Sequence, residues 1–177
     1  MRKLIETMAI TAALLAVSST AALAEQSSVS AIMPWDGEGE IFHVAPGEVL
    51  FQGSLEGIMY VQTGEGELDE AFVICPVVQR LKIEEKTTSA EGHCMFTVSG
   101  GDTVFGDFTC NGQVGLCAGE MNLTGGTGEF EGITGSGRML IRSPLRALIG
   151  DLGTGSAVSV ATGLAIIPEL SFEIPAK

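Results

Sequence analysis

From residue 38 onward, apolar and polar positions alternate in short runs broken by Gly, Asn, Asp and Ser. Alternation of period two puts successive side chains on opposite faces of a strand, whereas a helix needs apolar residues at i, i+3, i+4 and i+7. No window of a dozen residues shows the helical spacing without several glycines in it, and each glycine costs a helix interior about 1 kcal/mol. The pattern predicts strands over 38–44, 48–54, 56–62, 71–79, 81–87, 92–98, 103–110, 116–123, 133–142 and 155–166. In 103–110, Val104, Phe108 and Cys110 share one face, and Thr103, Asp107 and Thr109 share the other with Phe105. In 133–142, Ile133, Met139 and Ile141 fall together with two glycines, opposite Thr134, Ser136, Arg138 and Arg142. One wet and one dry face is the mark of an antiparallel sheet. A short helix is expected only at 144–150, after Pro144, and residues 25–34 read as a loose, small and polar lead-in.

Glycine decides between the architectures this leaves. Eight to ten short strands with turns between them fit a barrel or a sandwich. Closing a small sheet on itself needs kinks and bulges, and glycine supplies them. Residues 121–139 (MNLTGGTGEFEGITGSGRM) hold six glycines within a strand-like region, which favours the barrel. Asn111-Gly112 marks a hairpin turn between 103–110 and 116–123.

The first 24 residues stand apart. Arg2 and Lys3 precede an apolar run, Met8–Val17, broken only by Thr11, and Ala22-Leu23-Ala24 forms an A-x-A site before Glu25. This is the pattern of a secretory signal peptide cleaved after Ala24, and the run is far short of the roughly 20 residues a membrane span needs. Later apolar runs are interrupted by Gly, Ser and Thr, so membrane insertion is not expected. Residues 25–177 then form a single barrel domain in the periplasm or outside the cell. Removing Arg2, Lys3 and Glu6 leaves 7 basic and 21 acidic residues, a net charge of −14. That field repels nucleic acid and anionic membrane surfaces, so neither is expected as a partner.

Cys75, Cys94, Cys110 and Cys117 all fall in the mature part. An even count in an exported chain reads as disulfides. Three pairings are open. The sequential one, 75 with 94 and 110 with 117, suits neighbouring antiparallel strands and is the expectation, the second bridge closing the 103–123 hairpin. A zinc site is disfavoured, because no CxxC occurs and only two histidines are present.

Candidate chemistry is sparse. There is no GxxxxGK[ST], GxGxxG or GxSxG, so neither a phosphate cradle nor a nucleophile elbow is supported, and no cofactor or metal is expected. Residues 124–128 read as a strand-connecting turn. His43 and His93 lie 50 residues apart, and either could act as a base only with a partner acid facing it. Asp36–Glu40 and Glu65–Glu70 lack the spacing of a calcium loop and read as solvated turns. Arg138, Arg142 and Arg146 could hold an anionic group, although pairing with the abundant carboxylates is the simpler reading. Trp35 and Tyr60 are candidates for lining a barrel mouth. No catalytic residue is assigned.

Leu123-Thr-Gly-Gly-Thr-Gly-Glu-Phe-Glu-Gly-Ile-Thr-Gly-Ser-Gly137 resembles the [LF]TGGTGxFxGITGxG signature of allene oxide cyclase-like barrel proteins, which dirigent proteins share in part. With Phe108-Thr-Cys-Asn-Gly112 and Cys117-Ala-Gly before it, the segment is similar to exported bacterial proteins of unknown function in that superfamily. The resemblance spans roughly residues 70–165. It implies an eight-stranded antiparallel barrel of calycin-like shape with an apolar interior, often oligomeric. Neither the cyclase's catalytic residues nor the dirigent pocket residues match positions here.

Three functions follow as expectations. The first is a binding module whose cavity takes a small apolar or amphipathic molecule, suggested by 45 % hydrophobic residues in a small all-β chain. The others are a cyclase or isomerase acting by cavity shape, and a structural envelope protein with a filled barrel. An interior filled by Phe96, Phe108 and Met121 argues for the last. A titratable residue pointing into an open cavity argues for the enzyme.

Overall fold

The computed structural model describes residues 25–64, 68–144 and 158–176. They form eight strands: β1 (Glu25–Ala45), β2 (Glu48–Gln62), β3 (Leu68–Lys82), β4 (Thr87–Val98), β5 (Thr103–Gln113), β6 (Leu116–Gly126), β7 (Thr134–Arg142) and β8 (Val158–Ile174). Each pairs antiparallel with the next, and β8 pairs with β1, closing the barrel. The all-β, eight-stranded antiparallel barrel expected from the sequence is the fold observed. Among the described residues no helix is long and apolar enough to cross a membrane.

Period two sorts the side chains as expected. Val104, Phe108 and Cys110 of β5 and Ile133 and Met139 at β7 are buried, while Thr109, Thr134, Ser136 and Arg138 are exposed. The inward side chains form one core. Large rings lie over inward glycines. A Cβ on Gly92 would overlap the Phe108 ring, and one on Gly163 would overlap the Trp35 indole.

The sequence divides the chain too finely. Residues 25–34 are not a loose lead-in but the first half of β1, paired with β8 from Glu25↔Ile174 onward and with β2. Small residues and Pro34 hide the inward pair Ala31 and Met33, which are both buried. The segments 48–54 and 56–62 are one strand, as are 71–79 and the first residues of 81–87; the rest of that segment is the β3–β4 turn. Asn111 and Gly112 are not a turn either. They pair with Ala118 and Cys117, and the chain reverses at Val114-Gly115. The 155–166 strand runs on to Ile174. The helix expected at 144–150 falls, apart from Pro144, outside the described residues, and so does the proposed signal peptide.

The disulfides join neighbouring strands from inside. Cys75 of β3 is bonded to Cys94 of β4, with Cα atoms 4.1 Å apart, and Cys110 of β5 to Cys117 of β6, at 5.5 Å. All four cysteines are buried. Two bridges are consistent with a protein exported to an oxidising compartment.

Candidate functional site

The two ends of the barrel differ. The β2–β3, β4–β5 and β6–β7 connections gather at one end, here called the upper end, with the start of β1 and the close of β8. Two bulges re-aim the strands there. In β6, Phe105↔Gly125 is followed by Gly106↔Leu123, so one extra residue, Thr124, is inserted. Gly125 has φ +155 at this bulge, a geometry glycine adopts readily. In β8, Val29↔Leu170 is followed by Ala31↔Ile167, an insertion at Pro168-Glu169. Proline has no N–H to give a ladder and is tolerated at such a bulge. The insertion switches the inward set from Ala165 and Ile167 to Leu170, which is also buried.

These strands enclose an apolar cavity of about 620 Å3 that opens at the upper end. Met59, Phe96, Met121 and Ile167 form its floor; they also line a void of 20 Å3 beneath it. Val61, Val98, Val104, Leu123, Ile133, Leu170 and Phe172 build the walls. Below the floor the interior is filled, with Phe108, Met33, Met139 and the Cys75–Cys94 bridge around the small void. An apolar void of that size stays dry. So Phe96 and Met121 do not fill the barrel to the top, and Phe108 belongs to the plug.

Around the mouth stand Thr63, Asp69, Glu70, Ser99, Asp102 and Glu129. The glycine-rich segment sets part of this rim. After Gly126 it forms a single 3-10 turn, Gly128–Phe130, whose Phe130 lines the cavity. Three hydrogen bonds pin the turn to the start of β5 and the residue before it. The Thr127 N–H donates to the Thr103 carbonyl (2.8 Å) and the Thr103 N–H donates to Thr127 Oγ1 (2.9 Å). The Glu129 N–H donates to Asp102 Oδ2 (2.9 Å). Gly128 has φ +54, and a Cβ there would overlap the Asp102 carboxylate. The signature glycines thus shape a rim rather than cradle a phosphate. Gly128→Ala is expected to cost about 1–3 kcal/mol of local stability. The Glu129 amide should then exchange faster with deuterium by NMR, and unchanged protection there counts against the pinning role.

Most of the remaining candidates lie away from the cavity; Asp69 and Glu70 of the second acidic cluster stand at its mouth. His93 Nδ1 is 2.6 Å from Asp107 Oδ1, but the pair sits on the outer wall with His93 well exposed, and His43 is exposed near the end of β1. Asp36, Glu38 and Glu40 are not a turn but alternate positions of β1; within the second acidic cluster only Leu68–Glu70 are described, at the start of β3. Among the described residues no cluster is arranged to hold a metal. Arg138 and Arg142 are exposed and neither forms an ion pair among the described residues; Arg146 lies outside them. Trp35 does not line the cavity mouth but is buried inside the barrel, and Tyr60 is not among the cavity-lining residues. The sequence reading missed Asp69, Asp102, Glu129 and Phe130 as rim residues.

No family model matches the chain, and no curated protein matches it. Among solved structures, the chain is similar to the pterocarpan synthase dirigent protein, with 12 % identity over 85 % of this chain and 88 % of that one and a TM-score of 0.33. What the cavity can do follows from its own walls.

Proposed function

We propose that this chain is an exported β-barrel that holds a small apolar or amphipathic molecule in its upper cavity. It loses residues 1–24 after Ala24 and works in the periplasm or outside the cell. The observation that carries the reading is the cavity itself. At about 620 Å3 it falls within the roughly 300–1,000 Å3 of small-molecule sites, which are likewise apolar clefts with a few polar groups. Burying an apolar ligand there gains about 25 cal/mol per Å2 removed from water. The filled plug beneath supplies the rigidity of a preformed site. The motif shared with allene oxide cyclase-like barrels supports the same architecture. Among the described residues lining the cavity there is no histidine, cysteine or lysine.

Decanol, a neutral probe, tests this by isothermal titration calorimetry. Ala71 is buried and lines the cavity from β3, and Ala71→Trp should fill the space and weaken decanol binding at least roughly tenfold, about 1.4 kcal/mol. Equal affinity in the variant puts the ligand elsewhere and overturns the proposal. Native mass spectrometry of the protein from its own host should show retained ligand as added mass, lost in Ala71→Trp.

A further inference from the structure

Resting on the cavity reading, we infer that the ligand is a cationic amphiphile, an apolar body bearing an ammonium-type head, and that the cavity selects against carboxylates and other anions. Carboxylates occur at both ends of the barrel, Glu48, Glu84 and Glu85 among them at the lower one, but the described cations lie away from the mouth. Among the described residues, Arg80, Lys82 and Lys86 lie at or near the β3–β4 turn and Arg142 ends β7, all at the lower end, while Arg138 sits within β7 opposite Glu120. Several of these cations are already engaged, Arg80 with Glu48 and Lys82 with Glu85. Asp69, Glu70, Asp102 and Glu129 stand at the mouth, and among the described residues no Lys, Arg or His lines it.

These carboxylates differ in availability. Asp102 accepts the Glu129 N–H and holds the rim in shape. Asp69, Glu70 and Glu129 are exposed and make no ion pair among the described residues. The walls below them are apolar, so an amphiphile enters tail first and leaves its head among the three. A single exposed ion pair is weak. Three like charges around an apolar opening focus the field, and a net charge of −14 over residues 25–177 reinforces it. A cationic head gains from this arrangement, and an anionic one is repelled while its tail is still outside.

Calorimetry with decyltrimethylammonium, decanol and decanoate, each below its micelle concentration, separates head from tail. At ionic strength of about 10 mM the cation should bind on the order of tenfold or more tighter than decanol, with decanoate weakest, and the spread should shrink near 150 mM salt. Asp69→Asn/Glu70→Gln/Glu129→Gln should shrink the spread between the cation and decanoate. Equal binding of all three probes overturns the charge inference and leaves the cavity reading standing. Failure of decanol and both ions to bind overturns the cavity reading itself. Undiminished decyltrimethylammonium binding to Ala71→Trp assigns the cation to the outer surface, and that also overturns the inference.

Discussion

A chain carrying Cys75→Ala and Cys94→Ala is expected to unfold in urea with about 3 kcal/mol less stability than the parent. The bridge closes a loop of sequence separation 19, and the chain-entropy relation assigns such a loop about 3 kcal/mol. The loss is large against the 5–15 kcal/mol by which a domain is usually stable. A local reason adds to it. Between Ile74↔Met95 and Val77↔Gly92 the β3–β4 ladder has no paired residues, and Pro76 there has no N–H to donate. The bridge spans that gap, inside the barrel and just under the cavity floor. Cys110→Ala/Cys117→Ala removes a bridge of separation 7 across a continuous stretch of ladder, so its loss should be nearer 2.5 kcal/mol. Trp35, the single tryptophan and buried, reports both transitions by fluorescence. A Cys75/Cys94 variant with an unchanged urea midpoint, or one less affected than the Cys110/Cys117 variant, refutes this account.

Phe108→Ala should cost about 3–5 kcal/mol, the range for emptying a buried phenylalanine site. Phe108 is 2 % exposed and lies over Gly92, and it helps enclose the small void under the floor. Phe105 is the control. It lies three residues earlier in β5, on the outer face and 38 % exposed, so Phe105→Ala should cost about 1 kcal/mol or less. Both are phenylalanines of one strand, and they occupy opposite faces of it. Equal losses in chemical denaturation mean that the face assignment of β5 is wrong. The Phe108 variant has a second readout. Enlarging the void below Phe96 and Met121 should loosen the floor of the cavity and change decanol affinity, whereas Phe105→Ala should leave it alone.

That contrast shows what was legible and what was not. The faces of β5 and β7 could be read directly, because side-chain alternation is a property of one strand and needs no partner. The missed boundaries share one cause. The breaks placed after Ser54 and after Gln79 each fall within a continuous pairing of β2 with β3, at Ser54↔Pro76 and Leu55↔Cys75 and at Phe51↔Gln79 and Leu50↔Arg80. Asn111-Gly112 carries the local preference for a turn, but ladder pairing with Cys117 and Ala118 overrides it. Partner strands supply the pairing that a turn signal only opposes weakly. At β8 the alternation itself fails, since Ile167 and Leu170 are both inward across the Pro168-Glu169 bulge. A reading by period two stops there.

By itself, the sequence determined the all-β class, the wet and dry faces of its clearest strands, the density of glycine that a small closed sheet needs, and the acidity of the chain. These are local or compositional properties, and each residue states its share of them without reference to a partner. Only the tertiary structure decided where the strands begin and end, that the barrel is plugged below and open above, and that Asp69, Glu70, Asp102 and Glu129 meet at one mouth while the described cations stand elsewhere. Those outcomes depend on register and closure between residues far apart in the chain, and a shift of one residue at a bulge exchanges the inside for the outside.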